Sequence, residues 1–236
     1  MRFMEPPSII AHRTCPADEA ENSLAGIRKA AELGANGVEI DLRMSLDQRP
    51  FLIHDRTMRR TTGWRLPIAL TPSFLVRRQR LPNGERVPSL GEAFDALPDA
   101  LALAVDVKTP WAIVPLVREI KRRGMENRTL IWCQSERACA YAAKRLPGVE
   151  VAYLKTALAP AAQMAFLDTA QAVGARAVST HWRAVSVEHV ADAHSRGLRI
   201  FSWHDEYELA SEKLRAGLDI LITDFPRQAR EAYAAL

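Results

Sequence analysis

Short apolar segments alternate with longer amphipathic ones along almost the whole chain. Eight apolar segments predict one strand each, at 8–11, 37–42, 101–107, 129–133, 149–154, 176–180, 198–203 and 219–223. Helical patterns occupy 111–124, 136–146, 161–173, 186–196 and 207–216, and further helices end near Gly34 and follow Pro226. The second strand has an extra partner at 50–53, and a helix at 90–97 follows an irregular stretch between residues 56 and 89. Asn22 or Ser23 would cap the first helix.

Strands that alternate with helices across short loops pair in parallel, and eight such units close a TIM (β/α)8 barrel. The main alternative is a doubly wound open sheet. That fold is disfavoured because no glycine-rich dinucleotide-binding loop follows the first strand, which ends at His12-Arg13-Thr14. The sequence therefore predicts a single barrel domain over residues 1–236.

Composition fits an ordinary globular protein, with 48% hydrophobic and 25% charged residues among 236. The most continuous apolar stretches, such as 101–105, are far too short to span a membrane, so we expect no stable membrane insertion. The first seven residues show no secretory signal pattern. Cys15, Cys133 and Cys139 show no CxxC spacing, which fits a reducing compartment, and we expect a cytoplasmic protein.

The net charge of +4 comes from 32 Lys and Arg against 28 Asp and Glu. This mild excess would attract an anionic small-molecule substrate, or it reflects only a solvated surface rich in arginine. Basic runs are no longer than 121–123, so nucleic-acid binding is not expected.

Reactive residues gather where the predicted strands end, which is the functional end of a TIM barrel. These strand-end residues are His12, Arg13, Glu39, Asp41, His54, Asp55, Asp106, Lys108, Gln134, Lys155, His181, Trp203, His204 and Asp224. We read His181 as slightly more structural than functional and Asp224 as a cap for the helix after Pro226. His189 and His194 fall on a predicted helix and are expected at the surface.

Glu39 and Asp41 are two residues apart on one strand, so both side chains project to the same face. Two acids inside a barrel need a cation between them, and hard oxygen ligands suit Mg or Ca. The alternative is an ion pair with Arg13 or Lys108. Asp106 ends another apolar strand and would supply a third carboxylate to one divalent metal ion. Lys108 would hold a phosphate oxygen or pair with Asp106.

His12 and His54 end separate strands beside this carboxylate cluster. Two histidines in that position predict a general base and a general acid, because an imidazole pKa near ~6.5 suits proton transfer at neutral pH. Arg13 offers a planar fork for a phosphate group.

Together these motifs resemble the glycerophosphodiester phosphodiesterase family over nearly the whole chain. The matching motifs are His12-Arg13, Glu21-Asn22-Ser23, Gly37-Val38-Glu39-Ile40-Asp41, Pro50, His54-Asp55, Arg60-Thr61-Thr62, Pro88-Ser89-Leu90, Asp106-Val107-Lys108, Trp203, and 219–226. The resemblance implies a TIM barrel with a small insertion, here residues 56–88, and metal-dependent cleavage of glycerophosphodiesters to glycerol 3-phosphate and an alcohol.

The resemblance also implies a role for each matched residue. Glu39, Asp41 and Asp106 would be the metal ligands, and His12 and His54 the general base and acid. Arg13 and Lys108 would contact the phosphate, and Trp203 would stack on the glycerol carbons.

The chain departs from the family pattern at four places. Thr14 replaces a glycine, Asp106 replaces a glutamate, and His204-Asp205 stand where a threonine and an asparagine usually follow the tryptophan. The insertion is also rich in arginine. These departures bear on the first loop, the metal preference and the substrate rim.

Three other functions are compatible with parts of the pattern. A lysophospholipase D would need an apolar groove, for which Trp64, Phe74, Leu75 and Trp182 are candidates. A Schiff-base lyase would use Lys108 or Lys155 but leaves the histidines and acids without a role. A phosphate-ligand binder that has lost catalysis is suggested by Thr14 and Asp106.

Overall fold

The computed structural model describes residues 7–156 and 159–236. Its strands are β1 (Ser8–Ala11), β2 (Gly37–Met44), β3 (Pro50–Leu52), β4 (Ala102–Val107), β5 (Thr129–Cys133), β6 (Glu150–Leu154), β7 (Ala177–His181), β8 (Arg199–His204) and β9 (Ile220–Thr223). All except β3 pair in parallel, and β1 pairs with both β2 and β9. The eight parallel strands therefore form the closed barrel that the sequence predicts.

Most of the helices cover the outside of this barrel, and two short ones lie in the segment between β3 and α4. The helices are α1 (Leu24–Glu32), α2 (Arg59–Thr62), α3 (Ser73–Val76), α4 (Leu90–Ala96), α5 (Ile113–Arg123), α6 (Glu136–Arg145), α7 (Pro160–Ala172), α8 (Val187–Ser195), α9 (Ser211–Leu214) and α10 (Pro226–Ala234). Ser23, not Asn22, caps α1, because its hydroxyl accepts the Gly26 N–H at 2.9 Å. Ser89 and Glu92 form a capping box at the start of α4.

Two predicted helices differ from the structure. The helix expected at 111–124 begins as a 3-10 turn, Pro110–Ala112, and becomes α-helical only in α5. The helix expected at 207–216 is reduced to the single turn of α9. Tyr207 instead packs its ring against Phe225, with ring centroids 5.2 Å apart, so this segment follows the barrel mouth before α9 begins.

Alternate residues of each strand face opposite sides, which separates two apolar cores. Leu103 and Val105 of β4 pack outward against the helices, whereas Ala104 joins an inner cluster with Trp132 and Phe201. Further along the same inward face comes Asp106. The inner face thus changes from apolar to charged toward the carboxyl ends of the strands, as a TIM-barrel site requires.

The second strand carries an excursion beyond the barrel wall. β3 pairs antiparallel with the end of β2, and residues 56–88 then form short helices around a small apolar cluster of their own. This cluster consists of Phe51, Ile53, Met58, Ile68, Val76, Leu81 and Val87. The irregular stretch seen in the sequence is therefore a packed insertion beside the barrel mouth.

No helix among the described residues combines the length and apolarity that a bilayer crossing requires.

Candidate active site

A cavity of about 160 Å³ opens at the carboxyl ends of the barrel strands. Its lining residues are His12, Arg13, Glu39, His54, Asp106, Lys108, Trp132, Gln134, Leu154, Ser179, Trp203 and Ile222. The ionisable groups come from β2, β4 and the segments that follow β1, β3 and β4, while the opposite wall is mainly apolar. The cavity therefore has a charged side and a side suited to carbon atoms.

Three buried carboxylates form the centre of the charged side. Glu39 and Asp41 project from β2, and the strand register places Asp41 directly beside Asp106 of β4. One oxygen from each carboxylate lies within 4.8 Å of the others. Asp41 lies just behind the cavity lining, where it is 1% exposed. The structure thus brings together the three acids predicted as metal ligands.

Both cations expected beside these acids are present. Lys108 Nζ lies 2.6 Å from Asp106 Oδ2 and 3.2 Å from Asp41 Oδ1, and Arg13 Nε lies 3.7 Å from Asp41 Oδ2. Two cations against three carboxylates leave an excess of negative charge in a buried site. The predicted ion pairs are formed, and they do not use up the acceptor capacity of the acids.

Burial and the neighbouring charges shift the pKa values of the three carboxyl groups in different directions. Burial, reinforced by Asp41, raises the pKa of Glu39 well above its ordinary value. Burial also raises the pKa of Asp106. Burial acts on Asp41 in the same direction, but Lys108, His54 and Arg13 outweigh it and lower the pKa of Asp41. The positive charge that the protein itself places beside Glu39 and Asp106 is therefore too small to offset the burial of these two carboxylates.

The donor set fits a hard divalent cation. Carboxylate oxygens are the preferred ligands of Mg and Ca. Asp106 Oδ1 is buried and has no hydrogen-bond partner among the described residues, and Glu39 Oε2 accepts the Arg13 backbone N–H at 2.7 Å. An orphaned buried carboxylate oxygen costs free energy unless a ligand satisfies it.

Asn22 is a site residue, although its own position in the sequence predicts only a helix cap. Its amide nitrogen donates to Asp41 Oδ2 at 2.8 Å, and its amide oxygen accepts the Asp41 backbone N–H at 2.9 Å. Its φ of 55° lies in the left-handed region, which asparagine tolerates better than most residues. The signal that identifies it is its place in the Glu21-Asn22-Ser23 motif.

His12 is held by the last strand of the barrel. Its Nδ1 lies 2.6 Å from Asp224 Oδ1. Because a carboxylate only accepts, Nδ1 carries the proton and Nε2 is left for the cavity. The prediction that Asp224 caps the final helix is wrong, since the cap position of α10 is Phe225 and no side chain caps it. Closure of β9 against β1 directs Asp224 to the histidine.

His54 is held in a similar way by its neighbour. Its Nδ1 lies 2.7 Å from Asp55 Oδ1, and Asp55 Oδ2 accepts from Arg60 Nε at 2.8 Å. Arg60 in turn donates to both carboxylate oxygens of Glu21. Arg60 and His54 lower the pKa of Asp55 to about 2 against the opposing effect of burial. Burial lowers the pKa of His54 below its ordinary value.

The loop after β1 has an unusual backbone. Arg13, Thr14 and Cys15 have φ values of 42°, 63° and 75°, a region that favours glycine. Thr14 is fully buried, and its hydroxyl accepts the Ser23 N–H at 3.1 Å. Gly26 leaves room for it, because a Cβ there would lie 2.2 Å from the Thr14 carbonyl oxygen. Thr14, which stands where the family pattern has a glycine, is thus held by a hydrogen bond and by close packing against Gly26.

The less charged wall presents polar groups that the protein leaves unused. Trp203 lines the cavity with its ring centroid 6.5 Å from that of His12, and His181 packs edge-on against it at 4.1 Å. Trp203 Nε1 and Ser179 Oγ are buried without a partner among the described residues. Gln134 also lines this wall. The predicted strand-end groups that do not line the cavity are Asp41, Asp55, Lys155, His181, His204 and Asp224.

The two helical histidines have different environments. His194 is at the surface, as predicted, where its Nε2 contacts Asp219 Oδ2 at 2.9 Å. His189 is 1% exposed, so the surface prediction is wrong for it. Its Nδ1 lies 3.1 Å from the Ala184 carbonyl oxygen, and its ring packs on Phe166. His189 therefore lies on the buried face of α8, together with Val190 and Ala193.

Comparison with known proteins agrees with this architecture. A glycerophosphodiester phosphodiesterase of Caldanaerobacter subterraneus is 26% identical over 92% of this chain and 94% of its own length. Glycerophosphodiester phosphodiesterase 1 of Mus musculus is 40% identical over 43% of this chain and 34% of its own length. The solved structure of an Oleispira antarctica phosphodiesterase in complex with the product sn-glycerol-3-phosphate superposes with a TM-score of 0.85 at 22% identity, covering 97% of both chains.

A sequence profile of the glycerophosphoryl diester phosphodiesterase family matches residues 12–132, which include the acidic cluster and both cavity histidines. The chain therefore belongs to this family of phosphoric diester hydrolases.

Proposed function

We propose that this protein is a metal-dependent glycerophosphodiester phosphodiesterase that releases glycerol 3-phosphate and an alcohol. One observation carries the proposal: His12 and His54, each with Nδ1 bound to a carboxylate, face one cavity that also contains three buried acids. Two oriented imidazoles beside acids that can hold a cation are the components of acid and base catalysis at a phosphodiester. The proposed catalytic unit spans 1–236, with 56–88 as its insertion.

Glu39, Asp41 and Asp106 would hold one divalent cation, Mg or Ca. When bound, the cation would neutralise charge that develops on the phosphoryl oxygens. Asp106 is one methylene shorter than glutamate, and its Oδ1, which has no partner among the described residues, could accept a hydrogen bond from a water. Arg13 and Lys108 supply fixed positive charge to the same oxygens from the protein side.

The proton transfers belong to the histidines. His12 Nε2 would accept the proton of the nucleophile as the new phosphorus–oxygen bond forms, and His54 would give a proton to the departing alkoxide as the old bond breaks. The nucleophile is water or the neighbouring glycerol hydroxyl, which would form a cyclic phosphate. Either route needs one accepting and one donating imidazole.

The opposite wall would receive the glycerol moiety. Trp203 offers a flat apolar face for the glycerol carbons, and Ser179 Oγ and Gln134 can hydrogen-bond its hydroxyls. A substrate hydroxyl would satisfy the buried Ser179 hydroxyl, which has no hydrogen-bond partner in the described part of the chain. The departing alcohol would then point to the open mouth of the cavity.

The other functions receive less support. Burial lowers the pKa of Lys108, but Asp106, Asp41 and Glu39 outweigh it and raise that pKa, so the amine stays protonated and is a poor Schiff-base nucleophile. Two oriented histidines favour an enzyme over a binding protein. Of the four aromatic or aliphatic residues considered for a lysophospholipid groove, only Phe74 is strongly exposed, whereas Trp182 is buried.

Release of glycerol 3-phosphate tests the proposal directly. Glycerophosphocholine, glycerophosphoethanolamine and a lysophospholipid should be offered with Mg, Ca, Mn or a chelator. We expect metal-dependent release from the two small diesters, and a roughly 10²–10⁴-fold lower turnover for His12→Ala and His54→Ala with unchanged circular dichroism. His194→Ala, at an exposed histidine on α8, is the matched control and should keep full activity.

Each other outcome has a defined meaning. Cleavage of the lysophospholipid alone would replace the proposal with a lysophospholipase D. No release from any of the three, with metal binding intact, would indicate a different substrate or a binding protein. Loss of circular dichroism in the histidine variants would contradict their catalytic role.

The three cysteines support a proposal for the cellular compartment. Cys15, Cys133 and Cys139 are buried free thiols, a state that a reducing cytoplasm preserves. We propose that the enzyme acts there.

A further inference from the structure

The insertion has a charge opposite to that of the rest of the chain. Residues 56–88 contain eight arginines and a single acidic residue, Glu85, which gives a net charge of +7. The remaining residues contain 24 Lys and Arg against 27 Asp and Glu, a net charge of −3. The net positive charge of this protein therefore arises from about a seventh of its length.

Most of this charge is not used within the protein. All eight arginines are exposed. Arg60 and Arg77 form ion pairs, with Glu21, Asp55 and Glu92. The other six form no ion pair within the described part of the chain, and they are Arg56, Arg59, Arg65, Arg78, Arg80 and Arg86. A concentrated and uncompensated positive surface has a strong preference for an anionic partner.

Exposed apolar side chains lie among these arginines. Leu46, Leu66, Leu70 and Phe74 are 51%, 53%, 62% and 58% exposed. They are four of the ten large apolar side chains that are exposed among the described residues. The guanidinium carbon of Arg78 lies 5.8 Å from the centre of the Phe74 ring.

Two hydrogen bonds bring Leu46 close to the segment that carries Leu70 and Phe74. The Leu46 N–H donates to the Thr71 carbonyl oxygen at 3.0 Å, and the Ser73 N–H donates to Asp47 Oδ1 at 2.8 Å. The turn between β2 and β3 is thereby fixed to the insertion next to Leu70 and Phe74. We call the surface formed by Leu46, Leu66, Leu70 and Phe74, with Arg65 and Arg78, the insertion tip.

The insertion tip lies beyond the mouth of the cavity. β2 continues past Asp41 to Met44 before the chain turns, and β3 returns to His54 at the cavity. At about 3.3 Å per strand residue, Leu46 lies on the order of 15 Å further along the strand than Asp41. A partner bound at the tip would therefore be on the same side of the molecule as the cavity mouth.

We propose that the insertion tip docks reversibly on an anionic phospholipid surface. Arginines bind headgroup phosphates with paired hydrogen bonds, while exposed leucine and phenylalanine side chains enter the boundary of the acyl chains. A nucleic acid would satisfy the arginines but offers no apolar phase to three leucines. The proposal concerns a peripheral contact and is independent of the reaction assigned to the cavity.

Vesicle sedimentation tests this inference. The full chain is mixed with phosphatidylcholine vesicles, with or without one part in three of phosphatidylglycerol. We expect binding only to the vesicles that contain phosphatidylglycerol, and weaker binding as salt rises. Each arginine at an anionic surface contributes about fivefold to binding. Arg65→Gln with Arg78→Gln should therefore weaken binding by roughly 25-fold.

The apolar contribution needs its own variants. Leu70→Ser with Phe74→Ser changes no charge, and we expect at least about tenfold weaker binding. The matched controls are Arg118→Gln with Arg137→Gln for charge, and Val114→Ser with Val187→Ser for exposed apolar area on α5 and α8. The controls should bind vesicles as the unmodified chain does. All variants should keep the same melting curve and the same turnover of a small water-soluble diester.

Several results would overturn the inference. These are no binding to vesicles containing phosphatidylglycerol, equal binding to neutral vesicles, or equal losses in the tip variants and their controls. Binding to duplex DNA that competes with the vesicles and is insensitive to Leu70→Ser with Phe74→Ser would assign the surface to nucleic acid instead.

Discussion

His12 and His54 share one arrangement although they come from different strands. In each, Nδ1 meets a carboxylate at 2.6 or 2.7 Å, so the ring orientation and the tautomer are both set by an aspartate. The two aspartates differ in their own ion-pair partners. Asp55 is tied to Arg60, whereas Asp224 has no cationic partner within 4.0 Å other than His12 in the described structure. We therefore expect His12 to depend more strongly on the charge of its aspartate.

Replacing Asp224 tests this dependence. Asp224→Asn keeps the shape but removes the charge that stabilises a protonated His12, and we expect kcat to fall roughly 10–100-fold with little change in KM. Steady-state kinetics on glycerophosphocholine measures both constants. Asp192→Asn, at an exposed position of α8, serves as control. Unchanged kcat in Asp224→Asn would show that the contact is only structural.

Local patterns sufficed to predict some of these residues and not others. The sequence predicts Glu39 and Asp41 as a pair because a spacing of two residues places both side chains on one face of a strand. It also predicts that Asp106 lies beside them, because the carboxyl ends of parallel strands meet at one end of the barrel. The role of Asp224 depends on β9 closing against β1, which no local pattern encodes. His189 lies on a helix whose exposed and buried faces are set by packing on the barrel, so its burial was missed.

At the scale of elements, the loop after β1 combines strain with a specific hydrogen bond. Thr14 keeps a β-branched side chain at positive φ, and its hydroxyl binds the Ser23 N–H. Thr14→Ala removes that hydrogen bond but keeps a Cβ in the unfavourable backbone region. Thr14→Gly loses the same bond and relieves the backbone.

We expect Thr14→Gly to be more stable than Thr14→Ala by about 1 kcal/mol, because only glycine adopts this conformation without a steric penalty. Urea denaturation of the two variants gives the difference in the free energy of unfolding. A Thr14→Ala variant that equals or exceeds Thr14→Gly would show that the positive φ values carry no measurable strain.

Helix α8 makes stability depend on pH through His189. Burial lowers the pKa of His189, so the folded state holds the neutral imidazole while the unfolded chain binds a proton near its ordinary pKa. Because the folded pKa is depressed, this contribution is present above the unfolded pKa and is lost as the pH falls below it. The loss reaches at most about 2 kcal/mol between pH 7 and pH 5.

His189→Gln should remove this part of the acid sensitivity. We expect the free energy of unfolding to fall less between the two pH values in the variant than in the unmodified chain, as measured by denaturant titration at each pH. His194→Gln, at the exposed histidine of the same helix, should retain more of the original pH dependence. Equal pH dependence in His189→Gln and the unmodified chain would contradict the assignment.

Element boundaries show where local sequence loses its influence. The predicted strands agree with the observed ones to within two residues at their ends, since alternating burial on a barrel wall is a local pattern. The helix expected at 207–216 forms only as the short α9, because its first residues make tertiary contacts along the barrel mouth, including that of Tyr207 with Phe225. Helical propensity alone does not include such contacts.

For the whole molecule, the acidic cluster links ligand binding to folding. Glu39, Asp41 and Asp106 are adjacent only in the folded barrel, so a cation that binds them stabilises the folded state selectively. At 100 times its Kd the ion would add about 2.7 kcal/mol. For a chain of this size that corresponds to a melting temperature higher by roughly 5–10 °C.

Thermal denaturation in Mg, Ca or a chelator measures this effect. We expect the melting temperature to rise with at least one of the two ions, and Glu39→Gln to lose most of the rise. Glu126→Gln, at a residue far along the chain from the cluster, should behave as the unmodified chain. A melting temperature insensitive to every divalent ion would contradict a metal site at these acids.

The bond between His12 and Asp224 joins positions 212 residues apart, across the seam where the barrel closes. During synthesis, a ribosome has added all of the residues between positions 12 and 224 before the partner of His12 exists. A nascent or prematurely terminated chain therefore has both histidines and all three acids but lacks the group that orients the first histidine. With the role proposed for His12, activity would begin only after β9 and Asp224 have left the exit tunnel and β9 has paired with β1.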